Sequence, residues 1–443
     1  MGPYHRATVV TKERAAAIAG KRELPEEVTV TLSDVAGACR EGLLCPGGDH
    51  GPRGDERCSS RRAWPPSPGP RAVTTRSARR PPQRTATRHG NEEGAVTLGG
   101  RRIPIRRPRV RTADGTGEVS IPAYELFTSR DLLGRMALER MLAGLSTRRY
   151  AVGLEPVGSA VEEVASGTSR SAVSRRFVAL TRTGLQEAMS APLDHLDPVA
   201  LLLDGVGFGD HLCVVALVID SQGRKHPVGI IEGTTENARV ATDLLADLRE
   251  RGLRTSGGLL VVMDGARALR RAVQNVLGKR ALVQRCQEHK IRNLLSYLPK
   301  EQHSLIERKL RAAYLLADAD RAQGDLESLA RSLERSHPGA AGSLREGLAE
   351  TLTVMRLGIS PTLARTLRST NPIESMIEIC RTKSRNVKRW RDGEMALRWA
   401  AAGMVEAQQQ FRRVKGHRDI PQLITALRRH CDQVGLDNNE AAA

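Results

Sequence analysis

The chain has 443 residues, enough for two or three domains of ordinary size. It carries 69 Lys and Arg against 50 Asp and Glu, which gives a formal net charge of +19. Such an excess indicates a polyanionic partner, most often nucleic acid, although a GC-rich genome that favours Arg offers a simpler explanation. Aromatic residues make up 3% of the chain, which disfavours base stacking on aromatic platforms as the main mode of binding.

The cysteines and the N-terminus indicate a cytoplasmic protein. Seven cysteines are an odd number, and they form no Cys-x-x-Cys pair, which is typical of a reducing cytosol. The opening stretch, MGPYHRATVVTKER, lacks the apolar segment of a signal peptide. No apolar run approaches the about 18 residues that a membrane helix needs, so we expect a soluble chain without a membrane partner.

The N-terminal part of the chain changes character at Cys45. Residues 1–44 hold one plausible helix, TLSDVAGACREGLL, with Ser33 or Asp34 as its N-cap. Residues 45–84 contain eight Pro, nine Arg and five Gly, but no Leu, Ile, Phe or Met. Because such a tract cannot bury enough apolar surface to offset its ordering entropy, we predict that it is disordered. The same composition arises when a GC-rich gene is read out of frame.

Residues 85–123 are predicted to form a basic, hairpin-like region. In GAVTLGGRRIPIRRPRVR, apolar and basic residues alternate around a Gly-Gly pair, which is typical of two strands joined by a tight turn. One side of this hairpin would be strongly basic.

Residues 124–195 change to a helical period. The stretch VGSAVEEVASGTSRSAVSRRFVALTRTGL predicts a helix, a short turn and a second helix, with Thr168 able to cap the latter. Val173, Phe177 and Leu180 would share one apolar face of that second helix. Three residues that lie mostly elsewhere on it are expected to contact DNA: Arg170, Ser174 and Arg175. This is the layout of a helix-turn-helix, and an ordinary helical hairpin with a solvated basic face is the alternative.

Strand patterns begin near residue 196. VALLLDGVG, HLCVVALVID and KHPVGIIEG predict three strands joined by tight turns. The helix TTENARVATDLLADLRERGL, the strand GGLLVVMDG, a further helix and the strand ALVQRC follow. We expect an α/β fold with a mixed sheet, in which the first and fourth of these strands are parallel neighbours. Residues 289–365 are almost entirely helical in pattern, and helix resumes after Ser369.

Two of the predicted strands end on Asp-Gly, at Asp204 and Asp264. If these strands are neighbours, their carboxyl ends bring the two aspartates close together, where ligands of α/β sheets commonly bind. Two converging carboxylates repel each other, and a divalent cation such as Mg²⁺ or Mn²⁺ relieves the repulsion. The alternative is that Asp-Gly merely forms a turn after each strand.

A third carboxylate is expected in LRSTNPIESMIEICRTKSRNVKRW. Asn371 would cap a helix in which Pro372 is the first residue and Glu374 the third. Glu374 is then either the acidic half of a capping box or a metal ligand, and spacing alone does not decide. Glu378, one turn later, is the competing ligand. Four cations that follow in this stretch are expected to contact DNA: Arg381, Arg385, Lys388 and Arg389.

The segments LLLDG, GTTENA, VMDGARAL, VQRCQEHKIRN, LRSTNPIES and RNVKRW occur in this order. With them the chain resembles the mutator-type transposases of bacterial insertion sequences over residues 94–418. The resemblance implies an RNase H-like core made of residues 196–288 and 366–418, interrupted by a helical insertion, 289–365. Residues 419–443 would form a C-terminal tail.

The resemblance also implies the site residues. Asp204, Asp264 and Glu374 would form an Asp-Asp-Glu triad that holds two Mg²⁺ or Mn²⁺ ions. The family carries a Cys-x-x-His motif, which Cys286 and His289 match. Such a pair is half a zinc site, but no second pair follows at a convincing spacing. A role in positioning DNA or in supporting the active site is therefore favoured over zinc binding, with simple packing as a further alternative.

The activity implied by the resemblance is that of a Mg-dependent DNA transposase. It would cleave strands at the terminal inverted repeats of its element and join the 3′-OH ends to target DNA, as a homo-oligomer associated with the bacterial nucleoid. One ion would activate the attacking oxygen and the other would stabilise the leaving oxygen. The alternative is a relic that lost transposition when its N-terminal part was scrambled and persists as an end-binding repressor.

Overall fold

A computed structural model describes residues 86–128 and 130–435. The predictions for residues 1–44 and for the tract 45–84 concern segments outside these residues, as does the end of the chain from 436 to 443. The described chain divides into two compact units.

The first unit comprises the chain up to Met136 together with Arg148–Val173. In it, β1 (Ala86–Leu98) and β2 (Arg101–Thr112) pair as an antiparallel hairpin, as their alternating pattern predicts. Both glycines of the turn have positive φ, 55° and 79°, a conformation that glycine adopts at little cost. The first strand is longer than predicted: the alternating pattern begins at Gly94, whereas β1 begins at Ala86.

The helices of the first unit are short. Those up to residue 190 are α1 (Pro122–Thr128), α2 (Arg130–Leu142), α3 (Ser159–Val164) and α4 (Arg170–Ser190), of which α2 and α4 continue into the second unit. α3 has six residues and α4 has 21, so the first helix of the predicted helix-turn-helix is less than two turns long. The segment between them pairs with the hairpin, because Arg102 and Ser166 exchange two backbone hydrogen bonds of 2.8 Å.

The N-terminus of α4 differs in one detail from the prediction. Ser169, rather than Thr168, caps the helix, since its hydroxyl oxygen accepts a hydrogen bond from the backbone N–H of Ala172 at 3.3 Å. Val173 and Phe177 are buried, as their spacing predicts.

The second unit contains a five-stranded mixed sheet. Its strands are β3 (Pro198–Phe208), β4 (His211–Asp220), β5 (Lys225–Glu232), β6 (Leu259–Met263) and β7 (Ala281–Arg285). Their order is β5-β4-β3-β6-β7, with β4 antiparallel to β3 and β5, and β6 parallel to β3 and β7. The predicted parallel pairing of the first and fourth strands is thus confirmed.

Helices cover both faces of this sheet. The helices after α4 are α5 (Ala238–Glu250), α6 (Arg267–Leu277), α7 (Gln287–Leu295), α8 (Lys300–Tyr314), α9 (Ala319–Leu333), α10 (Pro338–Arg345), α11 (Leu348–Thr351), α12 (Thr353–Arg356), α13 (Pro361–Leu367), α14 (Asn371–Ser384), α15 (Gly393–Gln410) and α16 (Ile420–Gln433). Leu201 and Leu203 of β3 pack with α5 and α6, whereas Leu202 belongs to the core shared with α14, α15 and α16. Both faces of β3 are therefore buried, which explains its continuous apolar sequence. Among the described helices, none is both long and apolar enough to cross a membrane.

Helices α7 to α12 form a block with a separate apolar core, which runs from Ile291 to Leu352. This agrees with the helical pattern predicted for residues 289–365. The last helix of that stretch, α13, instead packs Leu363 and Leu367 into the sheet core.

The helical block is fixed against the sheet by buried charges. Arg285, the last residue of β7, is 4% exposed and donates from Nη1 to the carbonyl oxygen of Glu346 at 3.0 Å. Its Nε lies 3.1 Å from Oε2 of Glu350. Because an unpaired buried charge is costly, these contacts hold the end of β7 against α11 and the residues before it.

The expectation of a C-terminal tail from residue 419 is corrected by the structure. Residues 420–433 form α16, and Ile420, Leu423 and Leu427 pack into the sheet core. Their i, i+3, i+7 spacing is that of an amphipathic helix whose apolar stripe needs a partner.

Candidate active site

Asp204 and Asp264 lie side by side where the parallel pairing of β3 and β6 stops. Asp264 directly follows β6, whereas Asp204 lies within β3, which continues to Phe208 and does not end on Asp-Gly as predicted. The register of β3 and β6 pairs Leu203 with Met263, so the aspartates are the next residues on neighbouring strands. Such strands are about 4.8 Å apart. The predicted convergence of the two carboxylates is therefore a consequence of the sheet register.

Local hydrogen bonds hold both carboxylates. The Oδ1 atom of Asp204, which is 5% exposed, accepts from the N–H of Gly205 at 2.9 Å. The Oδ1 atom of Asp264 accepts from the N–H of Ala266, also at 2.9 Å, and this bond turns the chain into α6. Asp264 therefore does form the turn that the alternative interpretation predicted. That turn uses only Oδ1, so the second carboxylate oxygen, Oδ2, is still available for a ligand.

Glu374 and His289 join Asp204 from two helices. Glu374 lies in the first turn of α14 and His289 in the first turn of α7. One potential ligand atom from each of the three residues lies within 4.8 Å of the other two. Across the described chain, no other His, Cys, Asp or Glu residues form such a group. Glu378, the competing ligand, is exposed and outside it.

The pKa of Asp204 is raised from 3.8 to about 6. Burial raises it most, the charge of His289 lowers it, and the charges of Asp264 and Glu374 raise it as well. Asp264 is not a member of the three-residue group, yet its charge acts on Asp204. The charges of Asp264 and Glu374 therefore both act on Asp204, and repulsion of this kind between carboxylates is relieved by a divalent cation.

This pKa predicts a pH-dependent effect of Asp204→Asn on the metal-free protein. Because folding raises the pKa of Asp204 from 3.8 to about 6, the folded state binds the proton more tightly than the unfolded chain. The wild type therefore loses stability as the pH rises through this range, by at most about 3 kcal/mol. We expect Asp204→Asn to raise the free energy of unfolding above pH 6, and the gain to vanish as the pH falls towards 3.8. Urea unfolding in EDTA at several pH values measures this, and a gain that did not vary with pH would contradict it.

Thr370 connects the site residues to one another. It is fully buried, and its hydroxyl oxygen lies 3.2 Å from Oε1 of Glu374, 3.4 Å from Nδ1 of His289 and 3.5 Å from Sγ of Cys286. Thr370, not Asn371 as predicted, is the N-cap of α14. Its backbone N–H donates to Cys286 Sγ at 3.4 Å. Since a capping box needs that N–H for the glutamate, Glu374 does not complete one.

Cys286, which is buried, and His289, which is half-buried, form a polar pair next to the carboxylates. Cys286 is fully buried, and its N–H donates to the carbonyl oxygen of Met263 at 2.8 Å. Burial alone would raise the pKa of the thiol, but hydrogen bonds with His289 and Thr370 outweigh it and lower the pKa. The hydrogen bond to Cys286 raises the pKa of His289 against the effect of burial. Within the described residues, Cys286 belongs to no group of three potential ligands, so a zinc site gains no support.

Two contacts of Glu374 were not foreseen from the sequence. Besides Thr370, Arg292 reaches its Oε1 with Nη2 at 3.3 Å. Both residues stand within motifs that carry the family resemblance, VQRCQEHKIRN and LRSTNPIES, and this was the available signal. Arg292 is 59% exposed, so solvent weakens the attraction.

The predicted DNA-contact residues are exposed, and three of them line one groove. All seven have exposed side chains: Arg170, Ser174, Arg175, Arg381, Arg385, Lys388 and Arg389. α14 ends at Ser384, so Arg385, Lys388 and Arg389 follow the helix. Ser174 of α4 lines a groove together with Lys388 and Arg389, above the ring pair of Phe177 and Trp399.

A mixed sheet on which carboxylates converge, in a chain that also has a groove lined by cations, is typical of an enzyme that processes nucleic acid. The chain belongs to the Mutator family of transposases, since the family model "Transposase, Mutator family" matches residues 71–414. The family resemblance of the sequence motifs is thereby confirmed.

Relatives of known name agree with this assignment. The chain is similar to the transposase for insertion sequence element ISRM5 of Rhizobium meliloti (strain 1021), with 27% identity covering 77% of this chain and 83% of the relative. It is also similar to the transposase for insertion sequence element IS6120 of Mycolicibacterium smegmatis, with 29% identity covering 56% and 75%. The transposase for IS256 in transposon Tn4001 of Staphylococcus aureus is 22% identical, over 76% and 85%.

Proposed function

We propose that this chain is the DNA transposase of an insertion sequence, which cleaves DNA strands at the ends of its element and transfers the 3′-OH ends into target DNA. The observation that carries the proposal is the convergence of Asp204, Asp264 and Glu374 in a chain of a transposase family. Cleavage is hydrolysis of a phosphodiester and joining is a transesterification, so one site serves both and no covalent link between protein and DNA is needed.

The donor set supports two Mg²⁺ or Mn²⁺ ions held by Asp204, Asp264 and Glu374. All three offer carboxylate oxygens, which these hard cations prefer, and the raised pKa of Asp204 reflects burial and crowded negative charge. When bound, the ions supply activation of the attacking oxygen and stabilisation of the leaving oxygen. The hydroxyl of Thr370 would orient the Glu374 carboxylate and the His289 ring. We infer that His289 and Cys286 support the site in this way and do not bind zinc.

The sheet supports an RNase H-like core within this proposal. An antiparallel meander, β3 to β5, is followed by two strands, β6 and β7, that each return through a helix to lie parallel. The helical block α7 to α12 would be the insertion that separates the third carboxylate from the first two.

Two exposed surfaces are proposed to contact DNA. The start of α4 would lie in a groove of the terminal repeats, with Arg170, Ser174 and Arg175 towards the DNA. The phosphates near the cleaved ends would be contacted by Arg381, Arg385, Lys388 and Arg389. A protein bound to DNA in this way would be associated with the bacterial nucleoid. Because an element has two ends, we include a homo-oligomer that pairs them.

The test is a supercoiled plasmid that carries the element with its flanking repeats, incubated with the chain and either Mg²⁺ or EDTA. We expect metal-dependent breaks at both element ends. The second candidate, an inactive end-binding repressor, predicts binding to the ends without breaks. The presence of all three carboxylates at one place argues for the enzyme.

Removing one hydroxyl tests the support of Glu374. Thr370→Val keeps the size of the side chain but loses the oxygen that contacts Glu374 and His289, so we expect metal-dependent cleavage to fall about 10- to 100-fold. Thr370→Ser should restore most of it. The matched control is Thr351→Val, which removes the hydroxyl of another fully buried threonine, bonded to the carbonyl of Leu348. Equal losses in Thr370→Val and Thr351→Val would show a general effect on stability and would contradict the positioning role.

A further inference from the structure

The hairpin of the first unit carries an unusual density of charge. Six of the twelve residues of β2 are arginines, and their burial and ion pairing differ between the two faces of the strand. Arg101 and Ile103 face inward and are 3% and 1% exposed. Because side chains alternate along a strand, Arg102 and Arg106 lie on the opposite face, which also carries the exposed Pro104.

Three of the four arginines of the inner face, Arg101, Arg107 and Arg109, pair with carboxylates. Arg101 Nε lies 3.0 Å from a carboxylate oxygen of Glu162. Arg107 pairs with Glu92 across the hairpin, and Arg109 Nε lies 3.6 Å from the same carboxylate. Arg107 also stacks over the ring of Tyr124, 4.1 Å from its centroid. Structural partners therefore account for these cations.

The outer face lacks such partners. Within the described residues, neither Arg102 nor Arg106 forms an ion pair or a side-chain hydrogen bond, although Glu93 stands opposite Arg106 in the register. At about 3.4 Å per residue, the two Cα atoms are about 14 Å apart. That distance is close to the about 12 Å width of the major groove of B-DNA, which admits a two-stranded ribbon.

We propose that the outer face of the β1–β2 hairpin is a further contact surface for duplex DNA, with Arg102 and Arg106 bound to phosphates on the two edges of a major groove. The proposal rests on the proposed function for its partner, DNA. The hairpin is joined to the start of α4 through the paired backbones of Arg102 and Ser166, four residues before Arg170. Contact with DNA at the ribbon would thus extend the footprint beyond the helix, independently of the active site.

The experiment compares two double variants that remove the same charge. Arg102→Gln with Arg106→Gln removes the outer cations, and Arg107→Gln with Arg109→Gln removes the inner, paired ones. Binding of a fluorescent duplex of mixed sequence is measured by anisotropy over a range of NaCl concentrations, after thermal unfolding has shown that each variant is folded. We expect the slope of log K against log salt to fall by about two for the outer pair and to stay near the wild-type value for the inner pair.

Equal slopes for the wild type and the outer variant would overturn the ribbon contact, and so would equal losses in both double variants. If the outer double variant is unfolded, Arg106→Gln alone is used, with an expected reduction of about one. Metal-dependent cleavage of the element-bearing plasmid by the wild type is measured in parallel. Cleavage with an unchanged slope refutes the ribbon alone, whereas a wild type that neither cleaves nor binds duplex refutes the proposed function as well.

Discussion

Asp204→Asn and Asp264→Asn are each expected to abolish strand cleavage and joining while binding to element ends stays near the wild-type level. Each change removes a negative charge from the proposed metal site without altering the size of the side chain, and the backbone pairing that places it is unaffected. Loss of one electrostatic partner of a transition state costs roughly 10²- to 10³-fold in rate, so we expect at least this reduction. Cleavage of the plasmid and an electrophoretic shift of an end fragment measure the two properties separately.

Asp220→Asn is the matched control for both variants. Asp220 is the last residue of β4 and is 8% exposed, but it pairs with Pro198 at the start of β3 and so lies at the opposite edge of the sheet. It accepts hydrogen bonds from backbone N–H groups of its own turn. We expect full catalytic competence per folded molecule. If Asp204→Asn or Asp264→Asn retained metal-dependent joining, that aspartate would not belong to the site.

Glu374→Gln is expected to be as inactive as the aspartate variants and to unfold at the wild-type temperature. Glutamine keeps an oxygen for the hydroxyl of Thr370, so the packing at the start of α14 should survive. What it loses is the negative charge that acts on Asp204. Plasmid cleavage and thermal unfolding, run on the same preparation, give the two readouts.

Glu378→Gln gives the comparison within the same helix. Glu378 is exposed and one turn away from the group formed by Asp204, His289 and Glu374, so its loss should leave cleavage within about twofold, as for most surface substitutions. An inactive Glu378→Gln beside an active Glu374→Gln would place the third carboxylate one turn further along α14 than we propose.

The strands were predictable because their signals are local. Continuous apolar runs indicate buried strands. The meeting of Asp204 and Asp264 required in addition that β3 and β6 be neighbours, although β4, β5 and α5 lie between them in the chain; this was an expectation, which the register of the two strands confirms. The Gly-Gly turn of the hairpin and the apolar face of α4 follow from periodicity in the same way.

The surroundings of Glu374 could not be predicted in this way. The contacts of Thr370 with Cys286 and His289, and of Arg292 with Glu374, join residues that are more than 80 positions apart. They depend on how the helical block packs against the sheet, which spacing does not encode. The N-cap at Thr370 instead of Asn371 has the same origin. The sulfur of Cys286 accepts a hydrogen bond from the backbone N–H of Thr370, a contact between distant residues that spacing does not encode.

The most direct test of the central claim is joining of a pre-cleaved element end to a plasmid. A duplex that carries the terminal repeat is supplied with either a 3′-OH or a 3′-dideoxy end, in the presence of Mg²⁺ or Mn²⁺. We expect joined product with the 3′-OH end, none with the dideoxy end, none in EDTA, and no DNA covalently attached to protein. Joining from the dideoxy end, or a protein-linked DNA product, would contradict an active site built from Asp204, Asp264 and Glu374.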